Sequence, residues 1–505
     1  MEFKKNLKSI QEATNLAVLG RKAAEALEEY SEEQIDRIIK NMVRVGEEHA
    51  FELAKMAVEE TGFGIVEDKV YKNHMATGML YESIRDMKTA GIINEDKEKK
   101  TVELAVPVGL IMGIVPSTNP TSTVLFKAII ALKARNPIIF SPHPSAAGCT
   151  RRAAELMEEA AVEAGAPANS VNCLKTLSME ATDALMHAKE VKLIIATGGP
   201  GMVKAAYSAG KPAIGVGAGN SPAYIEKTAK VKEAVERIMA SKTFDNGTVC
   251  ASEQSIICEY SNEAEVMSEL KKQGGYFMTE EETKKVCKLL FKHGTAMNAK
   301  FVAKNPQVIA DAAGITIPEK TRLLIGRQKG VGEDSPLSHE KLTTVIAFYT
   351  VSDWEEACEL SIKLLQNGIG HTMSIHTESP EMALRFAAKP ASRILVNTGG
   401  TQGGTGASTG LAPSFTLGCG TMGGSSVSEN VTPLHLINKK VLAYGIKDVR
   451  TLSEKDAVFQ KYHGGENRCD SHSASDGISI TPKELKELIV EVMDAMEKER
   501  MEKER

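Results

Sequence analysis

The feature that most constrains the fold is a regular alternation of short apolar runs with longer helical segments, which begins near Leu104. The apolar runs have the length of buried strands, and the segments between them repeat apolar residues at helical spacing. The expected strands are Leu110–Val115, Pro137–Phe140, Lys192–Ala196 and Ala213–Val216, and the expected helices are Thr121–Ala134, Ala146–Ala164, Met179–Ala188 and Met202–Ala209. This alternation predicts an α/β fold with a doubly wound parallel sheet, whose ligands bind at the carboxyl ends of the strands.

A second alternating region runs from Lys232 to about Gly410 and predicts a second sheet of the same kind. Residues 1–62 are predicted to be helical, because their apolar residues recur every three or four positions. Between two of these helices, Ser31 and Gln34 have the spacing of a capping box. A chain of 505 residues with 42% hydrophobic content can bury the cores of two or more domains.

The charge and cysteine patterns exclude several classes of function. The formal net charge is −5 without a long basic run, which argues against a nucleic-acid or membrane-surface partner. No apolar run has the length of a membrane span, and the N-terminal stretch lacks the apolar core of a signal peptide. The eight cysteines, at positions 149, 173, 250, 258, 287, 358, 419 and 469, include no CxxC pair. We therefore expect a soluble cytoplasmic protein with reduced thiols and no metal site.

One cysteine lies in a segment that is typical of a covalent nucleophile. Cys250 follows the turn Asn246-Gly247 and precedes the strand-like run Gln254–Cys258. A thiol presented after such a turn can attack a carbonyl carbon, whereas a random cysteine more often only packs in the core. Attack requires the thiolate, so we expect the site to lower the Cys250 pKa from its ordinary value of about 8.5.

This segment and five others resemble, in order and spacing, the CoA-acylating aldehyde dehydrogenases, and most closely the aldehyde half of the bifunctional aldehyde–alcohol dehydrogenases. The six segments are residues 56–62, 114–122, 195–203, 215–220, 243–254 and 417–420. The resemblance extends roughly over residues 30–444. It implies an aldehyde-dehydrogenase-like fold, with two doubly wound parallel-sheet domains and a small oligomerisation segment. It also implies a CoA-acetylating, NAD-dependent acetaldehyde dehydrogenase.

The resemblance implies a covalent mechanism with named residues. Cys250 matches the nucleophile, and Asn119 matches the oxyanion-hole asparagine, which acts together with the Cys250 backbone N–H. Val216 stands at the position of the glutamate that activates water in hydrolytic relatives, so a thiol acceptor is expected to compete successfully with water. His371 is either the base that deprotonates coenzyme A or a loop histidine that only shapes the cofactor pocket.

The resemblance also implies an NAD site. The loop 197–201 follows an expected strand and opens a helix, and its glycines let a pyrophosphate approach the backbone. Glu340 matches the glutamate that binds the nicotinamide ribose. The expected cofactor-binding residues are Val115, Pro116, Ser117, Thr118, Asn119, Ser141, Thr197, Gly198, Gly199, Gly217, Glu340 and Leu342. Residues 141–144 replace the Lys-Pro segment that holds the adenosine ribose in hydrolytic relatives, which leaves the choice between NAD and NADP open.

We expect five regions along the chain. They are N-terminal helices with a dinucleotide-binding domain (1–240), a catalytic domain (241–426), an oligomerisation segment (427–445), a flexible linker (463–480) and an amphipathic C-terminal helix (481–505). The oligomerisation segment is implied by the resemblance and predicts a homo-oligomer. A capped amphipathic helix on a flexible tether is typical of helix-in-groove docking. The C-terminal helix is thus either a tag that binds the shell of a bacterial microcompartment or a helix that folds onto its own oligomer.

The expected reaction is the reversible oxidation of acetaldehyde or propionaldehyde to an acyl-CoA, with NAD as cofactor and coenzyme A as co-substrate. Three alternatives remain open at this point. They are a hydrolytic semialdehyde dehydrogenase that releases a free acid, an acylating dehydrogenase for a charged aldehyde such as sulfoacetaldehyde, and a catalytically silent scaffold. Val216 argues against the first, and the presence of both Cys250 and Asn119 argues against the third.

Overall fold

The structure is a computed structural model that describes residues 2–291 and 294–447. The chain divides into two compact units, a large one of residues 1–97 and 101–442 and a small one of residues 98–100 and 443–505. The elements below belong to the large unit, apart from the last residue of the final strand. The predicted linker (463–480) and C-terminal helix (481–505) lie outside the described residues.

The α-helices of the described residues confirm the predicted helical N-terminus. They are α1 (Glu2–Leu27), α2 (Glu32–Glu48), α3 (Ala50–Thr61), α4 (Val66–His74), α5 (Leu80–Ile84), α6 (Pro120–Lys133), α7 (Ala147–Glu163), α8 (Met179–His187), α9 (Pro200–Ser208), α10 (Val231–Thr243), α11 (Glu263–Lys272), α12 (Glu280–Leu290), α13 (Pro306–Ala313), α14 (Trp354–Leu365), α15 (Pro380–Phe386) and α16 (Gly400–Gly404). The predicted capping box is present at the start of α2. Ser31 Oγ accepts a hydrogen bond from the Gln34 backbone N–H, and the Gln34 side chain accepts one from the Ser31 N–H.

The strands of the described residues form three sheets. They are β1 (Gly91–Asp96), β2 (Thr101–Pro107), β3 (Ile111–Val115), β4 (Ile138–Pro142), β5 (Val171–Cys173), β6 (Leu193–Thr197), β7 (Ala213–Val216), β8 (Ser221–Ile225), β9 (Glu253–Glu259), β10 (Gly275–Met278), β11 (Leu323–Arg327), β12 (Val345–Val351), β13 (Gly370–His376), β14 (Ala391–Val396) and β15 (Ile437–Ala443).

The first large sheet has the strand order β5-β4-β3-β6-β7, and its neighbouring strands pair in parallel. Alternate residues along each strand point to opposite faces. Ile111 and Val115 pack with α2, α6 and α7 on one face, whereas Met112 and Ile114 pack with α1 and α8 on the other. Both faces are therefore covered by helices. The strand order reverses between β3 and β6, which are neighbours in space but not in sequence, and this is where such a sheet binds ligands.

The second large sheet has the strand order β10-β11-β12-β9-β8-β13-β14, again with parallel pairing. Its strands also bury both faces, because Tyr224 and Ile257 belong to one apolar cluster and Ala223 and Ile256 to another. Two parallel sheets covered on both faces confirm the fold class expected from the alternating sequence pattern.

The change from the first sheet to the second lies within residues 217–220, and the expected domain bounds stay a prediction. The change lies there because β8 pairs with β9 and β13 of the second sheet. Residues 221–240 thus contribute β8 and most of α10 to the second sheet. The functional assignments of the five expected regions stay predictions.

A small third sheet joins β1, β2 and β15, in that order. The β1–β2 hairpin was not predicted, because four of the six β1 residues are exposed and Ala105 is the one buried residue of β2, so neither strand has the continuous apolar run of a buried strand. β15 lies within the expected oligomerisation segment, residues 427–445. It is an edge strand of which one residue is buried and the other six are exposed.

Candidate active site

A cavity of about 700 Å³ lies at the carboxyl ends of β3, β4, β6 and β7. The predicted residues that line it are Val115, Pro116, Ser117, Thr118, Asn119, Ser141, Thr197, Gly198, Gly199, Gly217, Cys250, Glu340 and Leu342. The structure therefore brings together Cys250, the predicted nucleophile, and every predicted cofactor-binding residue, which come from segments far apart in sequence. His371 does not line the cavity. Its Nε2 nevertheless contacts the Sγ atom of Cys250.

The glycine-rich end of the cavity fits a dinucleotide pyrophosphate. α9 begins at Pro200 with Gly199 as its cap, and because proline has no N–H, the Gly201 N–H is the first helical donor at this end of the cavity. A Cβ atom added at Gly198 or Gly199 would meet no atom within 4 Å, so a ligand can approach the backbone closely. Thr197 Oγ1 is buried and has no hydrogen-bond partner among the described residues. A bound phosphate oxygen could satisfy these donors.

Cys250 is presented by a tight turn that follows α10. Asp245, Asn246 and Gly247 all have left-handed backbone conformations, with φ of 47°, 53° and 76°. A Cβ at Gly247 would lie 2.8 Å from the Thr343 carbonyl oxygen, so this position combines positive φ with a close backbone approach. The two preceding residues adopt the same region without being glycine, which requires support from their surroundings.

The Cys250 thiol is protonated in this ligand-free state. Its pKa is raised to about 12, chiefly by burial of the sulfur and to a smaller extent by the nearby Glu340 and Cys419, while Arg393 opposes the shift. The expectation that the site lowers the Cys250 pKa is therefore wrong for the ligand-free protein. Because the thiolate is the nucleophile, a neighbouring base must remove the proton when the substrate binds.

The nearest base is His371, which lies in β13 rather than in a loop. Its Nε2 is 3.2 Å from Cys250 Sγ, and its Nδ1 is 2.8 Å from Thr372 Oγ1. Arg393 donates from Nε to the same hydroxyl oxygen at 3.2 Å and from Nη2 to the His371 carbonyl at 3.1 Å. Burial, and secondarily the Arg393 charge, hold the His371 pKa well below its ordinary value. The imidazole is therefore neutral at neutral pH, and its low basicity in the ligand-free protein agrees with a Cys250 thiol that keeps its proton.

Asn119 lies at the start of α6, between the cavity and a buried ionic cluster. Its Nδ2 donates to Thr118 Oγ1 at 3.1 Å and to the Thr248 carbonyl at 3.4 Å. Its Oδ1 accepts from Lys72 Nζ at 2.6 Å. Burial lowers the Lys72 pKa to about 8, while Asp245 opposes this effect. The amide N–H groups of Asn119 thus face the loop that contains Thr248 and Cys250. A donor for an oxyanion on Cys250 would be needed on this side.

Among the described residues, Glu340 is the one whose carboxylate lines the cavity. Its Oε1 accepts a hydrogen bond from the Gly219 N–H at 3.0 Å, and burial raises its pKa to about 7. Gly219 in turn lies against the nucleophile, because a Cβ at this position would be 2.0 Å from the Cys250 carbonyl oxygen. Val216 is buried at the end of β7, so the position expected for a water-activating carboxylate is apolar.

Three residues that support the site were not predicted from the sequence. Lys72 contacts Asn119, Asp245 supports the nucleophile turn, and Arg393 supports His371. Lys72 and Asp245 are 173 positions apart, so no local pattern reveals their contact. No group of three or more His, Cys, Asp or Glu side chains within residues 2–291 and 294–447 could hold a metal ion. No helix in the same ranges is both long and apolar enough to span a bilayer.

Comparison with known proteins agrees with this geometry. Residues 5–314 match the aldehyde dehydrogenase family, and the chain belongs to that family. It is 47% identical over 443 residues to the bifunctional aldehyde-alcohol dehydrogenase of Escherichia coli, an alignment that covers 85% of this chain and 50% of the relative. The chain thus spans about half the length of the first curated relatives that it matches.

Solved structures of similar length also match. An acetylating aldehyde dehydrogenase from Geobacillus thermoglucosidasius superposes with a TM-score of 0.87 at 51% identity, covering 88% of this chain and 98% of that one. A propionaldehyde dehydrogenase from Rhodopseudomonas palustris, solved with bound CoA and an acylated cysteine, superposes with a TM-score of 0.77 at 26% identity, covering 86% and 97%.

Proposed function

We propose that the protein catalyses the reversible, NAD- and CoA-dependent oxidation of a short aldehyde, acetaldehyde or propionaldehyde, to an acyl-CoA. The observation that carries this proposal is the pairing of Cys250 with a neutral His371 at 3.2 Å. The apolar Val216 supports a thiol rather than water as the acyl acceptor. The acetylating relative and the relative with bound CoA and an acylated cysteine support the same chemistry.

In the first half-reaction, Cys250 becomes a thiolate as its proton passes to His371 Nε2. The sulfur adds to the carbonyl carbon of the aldehyde, and the carbonyl oxygen becomes an oxyanion. The side-chain N–H of Asn119 and the backbone N–H of Cys250 donate hydrogen bonds to this oxygen. When bound, NAD would supply the hydride acceptor, and loss of hydride from the former carbonyl carbon would leave a thioester on Cys250.

In the second half-reaction, His371 first releases its proton to solvent. Its Nε2 then accepts the proton of the coenzyme A thiol, and the coenzyme A sulfur attacks the thioester carbon. The bond to Cys250 breaks, and the Cys250 thiolate recovers a proton from His371. For this role Nε2 must be bare, which requires that Nδ1 carry the imidazole proton and donate it to Thr372 Oγ1. Overall, one hydride and one proton leave the two substrates.

The residues that line the cavity support the remaining proposed cofactor contacts. Gly198, Gly199 and the start of α9 would hold the pyrophosphate, and Glu340 would accept hydrogen bonds from a ribose. These contacts do not distinguish NAD from NADP, and the proposal of NAD follows the resemblance to acylating relatives.

The experiment uses purified protein with NAD, a panel of aldehydes including sulfoacetaldehyde, and coenzyme A present or absent. We expect steady NADH formation only with coenzyme A and an acyl-CoA of the corresponding mass. The variant C250A should abolish turnover, and labelled aldehyde should attach to Cys250 in the wild type. Comparable NADH formation without coenzyme A, with release of free acid, would instead favour a hydrolytic enzyme.

We also propose a homo-oligomer that forms through residues 427–445, because β15 offers an exposed strand edge. Sedimentation of the full chain tests this proposal, and a monomer at micromolar concentration would contradict it. We further propose that residues 481–505 bind a microcompartment shell protein. A fluorescent fusion should co-localise with shell particles, and loss of residues 464–505 should disperse it in the cytoplasm. Retained co-localisation would refute the tag.

A further inference from the structure

Two lysines of α4, Lys69 and Lys72, bury their ammonium groups beside the nucleophile turn. They are 2% and 1% exposed. Both donate to Asp245 Oδ2, at 2.9 Å and 2.5 Å. Asp68 of the same helix accepts from the Asp245 N–H at 2.7 Å. A buried ammonium is costly unless it is paired and hydrogen-bonded, so two cations on one carboxylate need a further reason to be there.

The two lysines differ in one contact. Lys69 donates to the Thr118 carbonyl oxygen at 3.0 Å, whereas Lys72 donates to the side-chain Oδ1 of Asn119 at 2.6 Å. The orientation of a backbone carbonyl is already fixed by the chain, so Lys69 has no rotating partner to hold in place. A side-chain amide has an acceptor end and a donor end that differ little in shape, and it can rotate to exchange them.

An ammonium group only donates hydrogen bonds. Lys72 is therefore compatible with only one orientation of the Asn119 amide. In this orientation Oδ1 faces the lysine and Nδ2 faces the loop that carries Cys250. The opposite orientation would place two N–H groups against a cation and would present an oxygen to the oxyanion. Lys72 also donates to Thr248 Oγ1 at 2.8 Å, which fixes its position relative to the loop that carries Cys250.

We propose that Lys72 is a positioning residue, which holds the Asn119 amide with its N–H groups facing the oxyanion that forms on Cys250. This inference rests on the proposed function of the site. Lys72 itself touches neither the substrate nor the cofactor, and it acts through Asn119. Lys69 shares the same carboxylate and helix but lacks the contact with Asn119, so it is a matched control for the structural role of the pair.

The test is a double-mutant cycle with the variants K72M, N119A, K72M/N119A and K69M. The rate of the first NADH burst is measured with NAD and saturating propionaldehyde, and melting temperatures report on folding. If one oxyanion donor is misplaced, we expect K72M to slow the burst about 10- to 100-fold, with the KM for aldehyde changed less than about threefold. K69M should melt at a similar temperature to K72M and retain a burst at least fivefold faster than that of K72M.

Non-additivity decides between positioning and a general structural role. We expect K72M to slow the N119A variant by less than about threefold, because the amide that Lys72 orients is already absent. If K72M and N119A slow the burst independently, so that their effects multiply in the double variant, the inference is overturned. Equal losses of burst rate in K69M and K72M would overturn it as well. If K72M does not fold, the same cycle is made with K72Q, and the same non-additivity is required.

A second readout does not depend on hydride transfer. Carbon-13-labelled propionaldehyde forms a thiohemiacetal with Cys250 in the absence of NAD, and NMR measures its dissociation constant. We expect K72M to weaken this adduct at least about fivefold and K69M to weaken it less. A wild type that forms neither adduct nor burst would overturn the proposed function together with this inference, whereas a reactive wild type with unaffected K72M would overturn this inference alone.

Discussion

Replacing Thr372 by valine removes one hydroxyl from a fully buried chain of hydrogen bonds and leaves the shape of the side chain nearly unchanged. The hydroxyl oxygen is 2.8 Å from His371 Nδ1 and accepts from Arg393 Nε at 3.2 Å. Since Arg393 already donates to this oxygen, its other lone pair is suited to accept the Nδ1 proton. The hydroxyl thereby favours the tautomer in which His371 Nε2 carries no proton and faces Cys250 as an acceptor.

The magnitude follows from burial, because both His371 and Thr372 are 0% exposed. In T372V the Nδ1–H has no partner, and a buried unsatisfied donor costs about 1–3 kcal/mol. The imidazole avoids this cost by moving its proton to Nε2, but Nε2 is then no longer a base. In either case the barrier to thiol deprotonation rises by about 1–3 kcal/mol, which corresponds to about 5- to 150-fold in rate.

The assay isolates the step in which His371 is needed. Acyl-enzyme is prepared with NAD and propionaldehyde, and its thiolysis by coenzyme A is followed by rapid quench between pH 6 and 9. T372V should slow thiolysis about 5- to 150-fold. T372S keeps the hydroxyl, so its thiolysis rate should stay within about threefold of the wild-type rate. Equal losses in T372S and T372V, or an unchanged thiolysis rate in T372V, would refute the assignment of the hydroxyl to the histidine tautomer.

Three other outcomes are expected. N119A should slow the first NADH burst about 10²- to 10³-fold in stopped-flow measurements, because one oxyanion donor is lost, and a loss below tenfold would contradict its role. With its pKa raised to about 12, the ligand-free Cys250 is only about 0.01% thiolate at pH 8, against about a quarter for a free thiol. Iodoacetamide should therefore label Cys250 about a thousandfold more slowly than free cysteine, and the rate should rise about tenfold per pH unit up to pH 11, as measured by peptide mass mapping. A plateau below pH 9 would contradict this. S31A should lower the free energy of unfolding by about 1 kcal/mol in urea titrations, since it removes the cap of α2, and no change would mean that the cap is energetically silent.

The first sheet could be predicted closely because its strands are buried on both faces. Such strands are short continuous apolar runs, and Leu110–Val115 was expected where β3 spans Ile111–Val115. The glycine loop before α9 was also predictable, because a glycine-rich turn between a strand and a helix has few alternative structures. The predicted cofactor-binding residues line one cavity because parallel strands end at a common edge.

Other features left no local signal in the sequence. β1 is largely exposed and β2 is only partly buried, so neither strand has the continuous apolar run that marks the strands of the two large sheets. α4 is short and rich in charge, and such a helix is expected to face solvent, yet it buries Lys72 against Asp245. The Cys250 pKa depends on Glu340, which is 90 positions away in sequence and adjacent in space. Contacts of this kind are set by the tertiary fold.

The burial of the α4 lysines has a consequence for how the enzyme responds to dissolved electrolyte. Counter-ions weaken attraction between exposed charges, such as Arg44 and Glu48 on α2, but they reach buried pairs poorly. Lys72 and Asp245 are nearly inaccessible, so added salt should leave their attraction almost intact. A drop in turnover as potassium chloride increases would then report on the arrival of the anionic cofactor and co-substrate at the cavity, while the internal electrostatics of the nucleophile turn stay constant.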